Sequence, residues 1–168
     1  MTDPLWLELA RKEIGIKEIP GQAYNSPTIL GYWTDGRVRG YVAQSDEVAW
    51  CAAFCNAMLE RANVKGTQAA NAKSFLKWGS VIEVPALGCI VVLNRPDGEP
   101  WQGHVGFCVG KSPQHIYLLG GNQGDAVSIA QFSLARIAGY RWPTGQELKP
   151  EWRHLGPVVS MQTNPKDR

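Results

Sequence analysis

The sequence predicts an α+β fold, with helices first and an antiparallel sheet after them. Three observations predict it. Up to Gly79, apolar residues recur at helical spacing behind recognisable helix starts. After Pro85 the chain breaks into short β-rich runs punctuated by Gly, Pro, Asn and Asp. Helical and strand segments are therefore segregated along the chain, as α+β architectures require.

The first helix is expected in TDPLWLELARKEIG, where Asp3 suits the cap, Pro4 the first position and Gly15 the end. A second, shorter helix fits NSPTILGYW, opened by Asn25 or Ser26. Residues 34–45 read as a polar loop containing Gly36 and Gly40. A third helix is expected over about 49–62, and a fourth, short one in QAANAKSFLKWG, ending at Gly79. Strands are expected in GCIVVL, GHVGFCVG, HIYLLGG, AVSIA and IAGYRW, close enough together for antiparallel pairing. From Pro143 onward prolines accumulate and periodicity fades. The domain is accordingly placed at 1–143, with an irregular tail at 144–168 that is surface-hugging or disordered.

Composition narrows the function classes. A chain of 168 residues with 44% apolar and 19% charged content suits one globular domain with a real core and argues against disorder. The net charge of +2 comes from scattered residues, so no basic run supports nucleic-acid binding. No stretch approaches the length of a membrane span. The N-terminus lacks the basic region and apolar core of a Sec signal. A substrate outside the cytoplasm would then be reached by another route. The four cysteines, at 51, 55, 89 and 108, form no CxxC and no zinc-finger spacing with histidine. All four are expected as reduced thiols, and no metal or cofactor is expected.

Chemistry gathers in three places. Cys51 falls in the first turn of the third helix, where unpaired N–H groups and the helix dipole favour a thiolate. A lone cysteine is also commonly a small buried apolar residue, so this helix alone does not decide between the two. Cys55 lies one turn deeper, on a stripe with Met58 and Ala62, and reads as packing. His104 stands at the head of a strand whose alternation puts His104, Gly106 and Cys108 on one face. Those small neighbours would let a helix approach that face closely. His115 and His154 lack such a setting and read as surface residues. Asn122, in GGNQGD, is placed where an amide could accept from one imidazole nitrogen, fixing the ring's tautomer so that the other nitrogen faces the thiol. It could equally be a plain turn residue. Cys, His and Asn in this order suit acyl transfer through a thioester.

The segments DEVAWCAAFCNAMLERANV, AANAKSFLKWG, GHVGFCVG, LLGGNQGDAVSIA and GYRWP together resemble the NlpC/P60–CHAP superfamily of papain-like cell-wall hydrolases. The closer likeness is to a subfamily of small phage-type and bacterial proteins sharing the Trp-Cys, Gly-His-Val-Gly and Gly-Gly-Asn-Gln signatures. It spans roughly residues 5–143. The resemblance implies a papain-like fold and metal-free hydrolysis of a peptidoglycan amide, by an endopeptidase or amidase. It assigns Cys51 as nucleophile and His104 as base, with Asn122 as third residue and Gln123 and Asp125 as alternatives. Cys55 departs from the pattern, which has an apolar residue there. Trp50, Asp46, Gln123 and Trp101 are the candidate substrate-binding residues. For the tryptophans the competing reading is core packing; for Asp46, and Glu47 beside it, a helix-cap or first-turn role. The Cys51 N–H is the expected oxyanion donor, with Gln44 or Ser45 as candidates for the second.

The implied biology is that of a phage endolysin released by a holin, or of an antibacterial effector exported by a specialised machine and matched by an immunity protein. Either would be made in the cytoplasm and act on the wall, in the periplasm or outside the cell. Peptidoglycan is the expected partner, with monomer as the default state. Two other classes compete: a non-catalytic cell-wall-binding module of the same fold, and a thiol or metal protein using Cys51, Cys55 and His104.

Overall fold

The computed structural model describes residues 2–19, 26–39 and 50–158. Those residues form an α+β structure: three α-helices and short 3-10 segments on one six-stranded antiparallel sheet. The helices are α1 (Leu5–Arg11), α2 (Pro27–Asp35) and α3 (Cys51–Arg61); a 3-10 helix (Ala72–Lys77) replaces the expected fourth helix. The strands are β1 (Ser80–Ile82), β2 (Ile90–Asn94), β3 (Gly103–Lys111), β4 (His115–Gly120), β5 (Ser128–Ser133) and β6 (Ile137–Trp142), in the order β1-β6-β2-β3-β4-β5. The five expected strand segments all carry strands. The three-residue β1 was not expected, and its exposed pattern explains why.

Local chemistry sets the helix starts. Ser26 accepts from the Ile29 N–H at 3.3 Å, so it is the cap of α2, with Pro27 at the first position. Asp3 does not cap α1; it pairs with Arg11 at 2.6 Å across that helix, whose N-cap is Pro4. Gly15 lies beyond α1, in the left-handed region at φ 101°.

Helix α3 is the centre of the packing. Its residues Cys51–Leu59 are all buried, with α1 and α2 on one side and the sheet on the other. A single apolar stripe through Cys51, Cys55, Met58 and Ala62 was therefore too narrow a reading: a helix enclosed on all sides is small or apolar all round. Its contact with β3 brings Phe54 to Phe107, ring centroids 6.4 Å apart. Phe107 alternates with His104, so the close helix approach expected over the His104–Gly106–Cys108 face is instead made through the other set of positions. Gly106 faces Leu118 of β4. Asn56, buried within α3, is fully engaged. Its amide donates to Thr67 Oγ1 and the Ala69 carbonyl at 3.2 and 3.1 Å, and its oxygen accepts from the Thr67 N–H at 2.7 Å.

Arg61 ties the helices together. It binds Asp35 of α2 at 2.6 Å and Glu13 at 3.3 Å, and lies over the Tyr32 ring, whose hydroxyl also donates to Glu13. The stretch after Pro143 is packed as far as residue 158. Trp152 is buried against Trp142 and donates to the Thr2 carbonyl at 2.7 Å, and the Lys111 N–H donates to the Gly156 carbonyl. Among the described residues, no helix is long and apolar enough to cross a membrane.

Candidate functional site

The site arises from a mismatch in strand length. β3 has nine residues and β4 six, and their last registered pair toward this end is Phe107↔Leu119. His104 therefore lies where β3 has outrun β4, paired only with Leu93 of β2. Residues 121–125 fold back into the gap. Asn122, Gly124 and Asp125 all have positive φ, at 58°, 68° and 60°, which Asn, Gly and Asp tolerate best. That coil turns Gln123 inward, where it is 2% exposed.

Gln123 is the hydrogen-bond partner of the ring. Its Oε1 lies 2.9 Å from His104 Nε2. Its amide nitrogen donates to the Leu118 and Ser128 carbonyls at 3.1 and 2.7 Å. Two carbonyl acceptors fix which end of the amide is nitrogen, so Oε1 must face the ring and Nε2 must carry the proton. Nδ1 is then the basic nitrogen. This corrects the assignment of ring orientation to Asn122. Strand alternation extended through Gly120 pointed to Asn122, but the strand ends at Gly120 and the turn exchanges the two positions. Asn122 still lines the cavity.

The glycines before this turn are there for space. A Cβ at 120 would stand 2.6 Å from Gln123 Oε1, and one at 121 would stand 2.5 Å from the Trp50 ring and 2.8 Å from Phe54. The Gly-Gly pair thus lets the turn and the start of α3 meet.

Cys51 opens α3 and lines the same small cavity, about 80 Å³, as His104, Asn122 and Gln123. Burial raises the thiol above its usual range. Backbone groups of Val105, Ala52 and Cys51 itself, and the Arg95 charge, act the other way. Burial lowers the imidazole to about 4; the Gln123 bond opposes this, and the charges of Arg136 and Arg95 reinforce it. Both directions favour a neutral thiol and a neutral imidazole at rest in the one cavity. Such a pair can transfer a proton as the sulfur attacks, with no standing ion pair.

The other expected site residues lie elsewhere. Trp50 is fully buried, stacked on Tyr32 at 5.9 Å and donating to Glu18 at 2.8 Å. It belongs to the core and anchors the chain just before Cys51, so it is no groove wall. Trp101 is 67% exposed in the β2–β3 connection and does not line the cavity. Asp46, Glu47, Gln44 and Ser45 lie outside the described residues. Cys55 is fully buried, and burial raises its thiol well above the usual range. Among the described residues no group of His, Cys, Asp and Glu is placed to hold a metal ion.

Three cavity residues were missed. Phe132 of β5 lies against the His104 ring, centroids 5.3 Å apart. Arg136, in the turn after β5, lies over the other partner of that contact, 5.2 Å from the Phe132 centroid. Arg95 follows β2. No motif in the sequence marks them.

No protein-family model matches the chain, and no curated protein matches it. Function has to be read from the side chains.

Proposed function

We propose that this protein is a cysteine hydrolase that cleaves an amide bond of bacterial peptidoglycan, with a papain-like catalytic arrangement. The observation that carries the reading is one cavity lined by Cys51 at a helix start and His104 on the sheet, the ring oriented by Gln123 at 2.9 Å. In this reading Cys51 is the nucleophile. Nδ1 of His104 takes the thiol proton as sulfur attacks the amide carbonyl, then returns it to the departing amine. Water, activated by the same nitrogen, hydrolyses the thioester. Gln123 is a positioning residue that keeps Nε2 protonated. The oxyanion is stabilised by backbone N–H groups at the start of α3.

The sequence signatures around Cys51, His104 and Gly120–Gln123 support the wall as substrate. In the biological setting proposed, the enzyme works as a phage endolysin or as an exported antibacterial effector. The test is incubation with purified peptidoglycan and mass spectrometry of the released ends. Wild type should generate new amine termini, and Cys51→Ala should lose nearly all of that activity, because no other group replaces the nucleophile. Equal cleavage by Cys51→Ala, or none by wild type across several wall chemistries, would overturn the reading.

A further inference from the structure

We propose that Arg95 and Arg136 form the carboxylate-binding half of this site, selecting an amide whose flanking residue carries a free carboxylate. The inference rests on the hydrolase reading and specifies its substrate.

Both guanidinium-bearing residues line the cavity that holds Cys51 and His104. Arg136 is partly buried and held in place: Nε donates to the Asn94 carbonyl at 3.1 Å, and its guanidinium lies over the Phe132 ring. With Nε engaged, the two terminal nitrogens remain to present a fork, the geometry that suits a carboxylate. Burial lowers the Arg136 pKa, and the nearby Arg95 charge lowers it further, an unfavourable proximity of like charges. Among the described residues no carboxylate forms an ion pair with either arginine; the ion pairs there involve Arg11, Arg37 and Arg61. Two cations lining one cavity, with no counter-charge among the described residues, favour an anion in the bound state. Lys73, whose stem lies beside Gly103 of the cavity lining, is occupied by Asn94 Oδ1 and the Pro100 carbonyl at 2.7 and 2.8 Å.

The small cavity places that anion close to the scissile carbonyl. Stem peptides offer amides with a free carboxylate on the adjoining residue. The muramoyl–alanine bond has no free carboxylate on either flanking unit and would leave the arginine pair unfilled.

A first test needs no wall substrate. Alkylation of Cys51 is measured with anionic iodoacetate and neutral iodoacetamide, with Cys51→Ala as the blank. The ratio of the two rates cancels any change in thiolate fraction. Arg95→Gln and Arg136→Gln should each lower the iodoacetate preference by roughly tenfold, the loss of one charge-assisted contact. Arg136→Lys should restore part of it. An unchanged ratio in both glutamine variants would overturn the proposal, whether or not the protein cleaves peptidoglycan. Protection of Cys51 by inorganic phosphate but not by propionate would also overturn it, in favour of a phosphorylated ligand.

A second test uses matched stem-peptide fragments with the flanking carboxylate free or amidated. Wild type should prefer the free acid in kcat/KM by on the order of 10- to 100-fold, and Arg95→Gln should erase most of that preference. Equal cleavage of both fragments would overturn the carboxylate assignment and leave the hydrolase reading standing. Absence of all cleavage, with the alkylation preference intact, would overturn the hydrolase reading alone.

Discussion

At the scale of single residues, the site turns on which of two adjacent amides meets His104. Gln123→Ala should lower kcat by at least on the order of 10²-fold, because the ring loses the acceptor that fixes its tautomer. Asn122→Gly removes the neighbouring amide while keeping a residue comfortable at φ 58°, and should change kcat within about a factor of three. Steady-state kinetics on one peptidoglycan fragment would compare them; the reverse ranking would return the positioning role to Asn122. The low imidazole pKa gives a second expectation. The acid limb of kcat/KM should have its midpoint near 4, with activity held at pH 5 to 6, where an ordinary histidine would already be protonated. Cys51 and His104 were singled out in the sequence because each stands in a recognisable setting, and both line the one cavity. Gln123 was legible only as an alternative, since alternation cannot foresee where a strand ends. Arg95 and Arg136 were not legible: they come together only because the end of β2 pairs with the start of β6.

At the scale of elements, the junction between α3 and the turn after β4 carries the geometry. Gly121→Ala would drive a methyl group into Trp50 and Phe54, both fully buried, at a cost of about 1–3 kcal/mol in unfolding free energy by denaturant titration. Gly120→Ala acts differently, because its methyl group meets the Gln123 side chain. It should reduce activity more than stability, so the two alanine variants separate under paired thermal and kinetic measurement. Strand positions were readable from β-rich runs and turn residues. The short helix at 72–77 was readable in place but not in type, since 3-10 and α turns share residue preferences over so few residues. The enclosure of α3 was hidden because alanine and cysteine suit either a half-exposed or a buried face; only α1 and α2 packing behind it decides.

At the scale of the whole molecule, the same histidine ties the proposed chemistry to stability. In the unfolded chain an imidazole titrates near 6.5, and in the fold this one titrates near 4, so the unfolded chain binds more protons between those values. Stability should therefore rise with pH across that window and be lost on acidification, by on the order of 3 kcal/mol in total. Thermal melts from pH 4 to 7 should show this slope in wild type and a shallower one in His104→Gln. An equal slope in both would assign the acid sensitivity to other groups. The Gln123 amide has a wider bearing. Its nitrogen clasps the Leu118 carbonyl from β4 and the Ser128 carbonyl from β5, while its oxygen grips the imidazole. The ring is thereby keyed to the alignment of two neighbouring strands. Any slippage between them, by pressure, denaturant or a distant substitution, would unhook the imidazole before the rest of the sheet lets go, making the histidine ring signal in NMR a built-in gauge of hairpin integrity.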